Sequence, residues 1–486
     1  MRARTLAAGR PDALVPALGA LATVVTAWLT VHMGVTVGAG LVLTVTFFLG
    51  AVLLFLFQPN VAVAAMIPIF ATIPVLKLFV TPWVGPLKDA IALAAIVAAV
   101  LLILFERNRP RLDGPLLGLM GLFLALYVVN VDGDHGIAWV HGVRLVGEPL
   151  LLLVAGMTFL RPGRTLRWAM ASLIATALGI AFYGLVQQYL GQWRLVGLGY
   201  SFNAEVRTYN GHLRSFGTFD DSFAYAAFLF LGAVAVLFWM RQTVVALACL
   251  TLIAFGVAAS YERTALLIAV GLIAVLLARF GWGTSAALVL AAAVAVAFAF
   301  LLGSSGSESR AYGTPNTVVT LNGRVAAWKS AFGSPLEWGV GQGVGKIGTA
   351  AQRATTTFTP RNAGSSVPTH TKAVDSGYFA TVADVGLAGL TVLLLLLGRL
   401  GQLAWRATRH GGPEGWLAAG FLAVLVLDAS TRSSFTGFPT AFLGFPFIGF
   451  ALAAAGERAR AESPAGARHG SPGRLRPLRG ARAPAA

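Results

Sequence analysis

Four arginines and two possible bases sit where polar chemistry could meet an apolar phase. Arg214 lies in Gly211-His212-Leu213-Arg214-Ser215-Phe216-Gly217-Thr218-Phe219 and Arg263 in Ser260-Tyr261-Glu262-Arg263. Arg324 opens the stretch Gly323 to Phe332, and Arg432 lies in Ser430-Thr431-Arg432-Ser433-Ser434. A guanidinium stays charged at any relevant pH and presents a planar fork of donors matched to phosphate oxygens. Such groups gathered on one face suit an anionic, diphosphate-bearing ligand. The competing reading is that each arginine reaches lipid head groups from a helix end and does nothing more, with Glu262 neutralising Arg263. Asp375 and His370, five residues apart, are the groups able to take a proton from a hydroxyl. Either also has a plain role: His370, like His212, as a solvated loop histidine, and Asp375 as the cap of a helix starting at Gly377. No cluster of carboxylates, histidines or thiols suggests a metal, and no cofactor motif is evident. The single cysteine, Cys249, falls in an apolar run and leaves no disulfide possible.

The elements that must carry these residues are apolar. Hydrophobic residues make up 57% of the chain and charged residues only 11%, which excludes an ordinary soluble domain. An excess of 36 basic over 19 acidic residues might suggest nucleic acid, but the arginines lie between hydrophobic spans rather than on one soluble surface. A membrane-crossing helix needs about 20 apolar residues. That criterion predicts spans near 14–31, 35–57, 61–80, 86–105, 114–131, 143–160, 166–190, 220–240, 243–259, 263–280, 284–302, 374–398, 415–431 and 436–455. The expected fold is an all-α polytopic membrane protein of about fourteen helices, with no cleavable signal peptide before Leu14.

Loop charge sets the expected sidedness, because Lys and Arg collect on the cytoplasmic side. With both termini cytoplasmic, the inner segments hold 21 basic and six acidic residues, and the rest of the chain holds 15 and 13. Two outer segments are long, 191–219 and 303–373, the second preceding the twelfth span. A division follows into an N-terminal bundle (1–190), a core (191–455) and a basic tail (456–486) expected to be disordered, near anionic lipid heads. Within the larger loop, Val325, Trp328 and Phe332 share a helical face suited to the membrane surface. The run Gly339-Val340-Gly341-Gln342-Gly343-Val344-Gly345 reads as a tight turn, since no strand precedes it and a nucleotide-binding loop needs one. Asp89, Glu148, Asp384 and Asp428 are costly within spans, and pairing at helix ends is the default expectation for each. Pro68 and Pro74 are expected to break the third span.

Four segments in order resemble the O-antigen ligase and O-antigen polymerase superfamily. Asp375-Ser376, nine residues and Gly386-Leu387-Ala388-Gly389 match the spacing of that family's His, Asn/Ser/Gln, nine-residue, Gly-x-x-Gly motif, with Asp in place of His. Arg214 to Phe219 resembles its Gly-Thr-Phe entry to a span, Tyr261-Glu262-Arg263 its Ser-Arg boundary, and Gly323-Arg324 through Trp328 to Gly343 its arginine, tryptophan and Gly-x-Gly series. The aspartate also resembles one that precedes a similar span in peptidoglycan polymerases of the shape, elongation and division class. The resemblance implies a plasma-membrane, metal-independent inverting glycosyltransferase of cell-envelope polysaccharide biosynthesis. It would use a polyprenyl-diphosphate glycan of the undecaprenyl type, with Arg214, Arg263, Arg324 and Arg432 at the diphosphate and Asp375 or His370 as base. Polymerisation of a surface polysaccharide and ligase-type transfer to a lipid, wall or protein acceptor both remain open. A transporter of lipid-linked sugar is the alternative from another class.

Overall fold

The structure is a computed structural model that describes residues 35–80, 84–105, 112–130, 135–159, 162–202, 205–209, 212–262, 264–265, 267–280, 335–346, 350, 376–409 and 412–462. Among them are thirteen helices: α1 Val35–Phe57, α2 Pro59–Phe79, α3 Leu87–Phe105, α4 Gly114–Val129, α5 Ile137–Thr158, α6 Pro162–Gly197, α7 Ser222–Trp239, α8 Thr243–Ala259, α9 Leu267–Phe280, α10 Pro335–Val340, α11 Gly377–Thr408, α12 Pro413–Asp428 and α13 Thr440–Glu462. Seven are long and apolar enough to cross a membrane, and α4, α8 and α9 are shorter apolar helices. Their outer surfaces expose Leu54, Leu104, Leu122, Leu394 and Leu395. Such faces need an apolar surrounding, so the protein is membrane-embedded.

Helices coincide with twelve of the fourteen expected spans. Spans 14–31 and 284–302, the amphipathic stretch Asn322–Phe332, and Arg263, Arg324, His370 and Asp375 lie outside the described residues. Several boundaries move. Helix α6 continues through a bend at Gly191 to Gly197, seven residues into the segment expected as loop, and α11 runs on to Thr408. Helix α13 extends to Glu462, so the first residues of the expected disordered tail are helical. The loop after α6 holds a two-stranded antiparallel hairpin, β1 Arg207–Tyr209 and β2 His212–Arg214, with Thr208 opposite Leu213.

One apolar core runs through the bundle, from Phe55 on α1 to Phe450 on α13. Helix α13 packs on α5, α6 and α12, while α11 packs on α4 and α12. The α5–α13 crossing is a glycine contact. A Cβ on Gly156 would stand 2.5 Å from the Pro446 carbonyl oxygen, and one on Gly449 would press on the backbone at Leu153 and Gly156. In lipid, where no hydrophobic force pulls helices together, close backbone approach of this kind supplies the packing.

Helix α2 stays continuous through Pro68 and Pro74, contrary to the expected break. Proline 68 has no N–H to offer the carbonyl of Ala64, and the Ser172 hydroxyl of α6 donates to that oxygen at 2.6 Å instead. The freed acceptor is thereby satisfied without unwinding.

At one end of the bundle, Asp113 caps α4 by accepting from the Leu116 amide at 2.9 Å, and Arg399 of α11 binds it with two donors at 2.9 and 2.6 Å. Arg458 pairs with Glu414 at 3.1 Å at the same end. The opposite end gathers the turns that carry Arg214 and Arg432.

Two outcomes test this packing. Gly449→Val lowers stability by about 1–3 kcal/mol through overpacking, read as a drop in unfolding midpoint in detergent. The Arg399 bond holds the Asp113 carboxyl below the usual carboxylate range. Its stabilisation is therefore full above the ordinary aspartate value of about 4 and is lost as pH falls through the depressed value. Asp113→Asn should lower the midpoint at pH 7, with the gap to the native protein closing in strong acid.

Candidate functional site

The Arg214 segment is positioned from below by two glutamines of α6. Gln187 accepts from the amides of Phe216 (3.1 Å) and Gly217 (2.9 Å) and donates to the Gly217 carbonyl at 2.8 Å. Gln188 donates to the carbonyls of Leu213 and Ala259 and to the Ser215 hydroxyl, at 2.7, 3.0 and 2.8 Å. These bonds fasten β2 and the following turn to α6 and to the end of α8. Gly217 has φ of 58°, and a Cβ there would strike the Tyr225 ring, so the Gly-Thr-Phe turn admits only glycine. Beside it Tyr200 and Tyr183 share a 2.9 Å hydrogen bond, and burial pushes the Tyr200 phenol up from its ordinary value.

Arg214 is ion-paired with Glu262, which is 3% exposed at its side chain and also accepts from the Ser222 hydroxyl at 2.6 Å. Glu262 thus pairs with Arg214, and its expected partner Arg263 lies outside the described residues. The Arg214 guanidinium lies 5.2 Å from the centre of the Phe223 ring, and His212 stacks on Tyr261 at 5.9 Å. Tyr261 has φ of 52°, a left-handed turn that sends the chain from α8 straight back toward α9.

Arg432 is likewise held. Its Nε lies 3.2 Å from Asp428, whose carboxylate also accepts from Ser434 at 2.5 Å, and its Nη1 lies 3.9 Å from Asp221, the cap of α7. Ser222, next to Asp221, binds Glu262. The two described arginines are therefore joined through the start of α7. Thr264 and Thr431, sequence neighbours of Arg263 and Arg432, share a 2.8 Å hydrogen bond. The start of α11 closes the group: the Gly377 amide donates to the carbonyls of Ala429 and Arg432, both at 2.8 Å, and the Ser376 hydroxyl donates to Ala429 at 3.1 Å. Ser376 is the residue at the helix cap, so the position after Asp375 is fixed beside Arg432.

Below this ring the chain does what the sequence did not indicate. Helix α11 breaks at Val385 and Gly386, and the glycine run docks against the break. The Gln342 amide donates to the Ala383 carbonyl at 2.7 Å, and the Val344 amide donates to Asn130, in the left-handed cap of α4, at 2.6 Å. Gly341, Gly343 and Gly345 all have positive φ. A Cβ on Gly341 would meet the Gly386 amide, so the run is a fitted wedge as well as a turn. Of the four acids within spans, Asp89 pairs with Lys88 and Arg144, the latter at 3.1 Å, and Asp428 pairs with Arg432, as expected. Glu148, a turn deeper on α5, faces that Asp89 group. Asp384 instead faces Tyr127 at 3.3 Å.

Among the described residues no three His, Cys, Asp or Glu side chains group to hold a metal. No protein-family model and no curated protein matches the chain.

Breaking the ring at its buried acid has a defined outcome. Glu262→Ala removes the buried carboxylate that Arg214 and Ser222 share and should cost about 3–5 kcal/mol, whereas the double variant Arg214→Met with Glu262→Leu should cost much less. Unfolding midpoints of the purified variants report the difference.

Proposed function

We propose that the protein is an inverting membrane glycosyltransferase that moves a glycan from a polyprenyl-diphosphate carrier to an acceptor hydroxyl at the outer face. The observation that supports this most is the fastening of the α11 start, one residue beyond Asp375, to the Arg432 carbonyl, with Arg432 joined through Asp221 and Ser222 to Glu262 and Arg214. One end of the bundle thus ties together the turns of Arg214 and Arg432 and the residue that follows Asp375. The opposite end carries the Arg399 and Arg458 pairs, in keeping with a cytoplasmic location there.

In this reading the acceptor oxygen attacks the anomeric carbon as the bond to the diphosphate breaks, and the electron pair leaves on the diphosphate. Asp375, or His370 in its place, takes the acceptor's proton. Negative charge develops on the leaving diphosphate, and fixed guanidinium groups facing it lower the barrier. Arg214 and Arg432 already face carboxylates, so their part is to shape and hold the ring. Arg263 and Arg324 are assigned the direct contacts with the diphosphate. Polymerisation of a surface polysaccharide is the first reading of the acceptor, with ligase-type transfer to a lipid, wall or protein acceptor the close alternative. Transport of a lipid-linked sugar is the second reading, favoured by the broken α11, since transporters place sites at interrupted helices.

Assay of membranes for glycan chain length and attachment separates these. Asp375→Ala or His370→Ala, whichever removes the base, should reduce glycosidic bond formation by about 10²–10⁴-fold. Full activity in both variants sinks the base assignment, and movement of labelled lipid-linked sugar without any new bond selects the transporter.

A further inference from the structure

The break in α11 leaves Asp384 at the C-terminal end of a half-helix, Gly377 to Asp384, within a helix apolar enough to cross a membrane. Its surroundings differ from those of the buried acids that pair with a cation, and also from those of Glu148, which lies near Lys88 and Arg144. Glu262, Asp428 and Glu414 each meet an arginine, and Asp89 meets both Lys88 and Arg144. Asp384 makes no ion pair among the described residues. Its partners are the Tyr127 hydroxyl and the Gly345 backbone. The half-helix end adds its own partial negative charge. A carboxylate so placed lacks a positive counterpart that hydrocarbon surroundings make costly to forgo.

The geometry says what kind of counterpart fits. Tyr127 Oη and Asp384 Oδ2 are 3.3 Å apart, long for an O–H···O hydrogen bond, which is usually about 2.5–3.0 Å. Two oxygens that bind one hard cation at about 2.4 Å, at right angles to each other, stand about 3.4 Å apart. Beside the pair lies a cavity of about 40 Å³, which Thr381, Ser433 and Thr436 also line. That is room for an ion with one or two waters, each needing about 10–15 Å³. The Thr381 hydroxyl donates to the Gly377 carbonyl at 2.9 Å and also meets the Tyr127 hydroxyl, which places a third oxygen beside the same pair.

We propose that Asp384, Tyr127 and Thr381 form a monovalent-cation site. All the donors are oxygen, which suits a hard ion. A single carboxylate balances one positive charge, whereas a divalent ion would stay uncompensated in the interior. The short oxygen–oxygen edge suits Na⁺ better than the larger K⁺. The bound ion ties α4 to the upper half of α11, the half whose start is fastened to Arg432. The inference holds whatever reaction the outer ring performs.

The test uses the purified full-length protein in detergent, with its unfolding midpoint followed in NaCl, KCl and choline chloride at matched ionic strength. A site predicts a saturable rise in NaCl, a smaller rise in KCl and none in choline chloride. Asp384→Asn should abolish the sodium response, and Tyr127→Phe should weaken its apparent affinity several-fold. Equal midpoints in the three salts overturn the proposal. So does a sodium response that survives in Asp384→Asn, or a rise that acidification alone produces identically in all three salts, which would make the occupant a proton. Should Asp384→Asn give no folded protein, an unchanged sodium response in both Tyr127→Phe and Thr381→Val overturns it equally.

Discussion

The cost of leaving a polar group without a partner in an apolar surrounding governs this structure. Water cannot repair a missing hydrogen bond between packed membrane helices, so each interruption must find its partner in the protein. The Ala64 carbonyl, freed by Pro68, is taken by Ser172. The amides of Phe216 and Gly217, which belong to no helix or strand, are taken by Gln187. The Val344 amide, inside a wedge of backbone, is taken by Asn130. In each case a short polar side chain from a neighbouring helix completes the backbone, and that bond also fixes how two segments of the chain meet.

The same constraint explains how charge is arranged at the end that carries the candidate site. Glu262 and Asp428 are almost fully buried, and each is answered by an arginine and by a serine hydroxyl. Removing either partner would leave a buried charge alone, so these pairs act as fixed joints between turns. Helix α7 begins between them, with Asp221 near Arg432 and Ser222 on Glu262. Four chain reversals, after β2, α8, α12 and before α11, are thereby set in one arrangement. Preorganisation of this kind matters for any site whose ligand is charged, because the protein does not have to rearrange as charge develops.

Much of the helical frame was legible because apolar length alone decides whether a segment can cross a membrane, and α2, α3, α7 and α8 begin and end within a few residues of the spans read from the sequence. Arg214 and Arg432 were legible as polar residues at helix boundaries. Their partners were not, because Glu262 is 48 residues from Arg214 and adjacent to Arg263, and local spacing favours the neighbour. The adjacent Gln187 and Gln188, inside an otherwise apolar span, were a usable signal of buried backbone needing donors and acceptors. Glycine spacing in Gly386-Leu387-Ala388-Gly389 showed a motif without showing the break, since a helix tolerates glycine until something wedges against it. That wedge comes from residues 339–345, more than 40 positions away. The β-hairpin escaped for a related reason: three-residue strands carry too little periodicity to be seen.

The neutrality of the described arginines bears on what a diphosphate would meet. A ligand carrying two phosphates cannot gain the full attraction of Arg214 or Arg432 while Glu262 and Asp428 face the same guanidinium groups. Two arrangements would serve such a ligand. In one the acids move away, which would strand buried carboxylates and is opposed by their serine bonds. In the other the ring stays intact and presents further cations from the turns it fastens. The second costs less, and it makes the paired arginines positioning residues. It also accounts for glutamate in the Tyr261-Glu262-Arg263 turn. One side chain of that turn, Glu262, anchors it to Arg214.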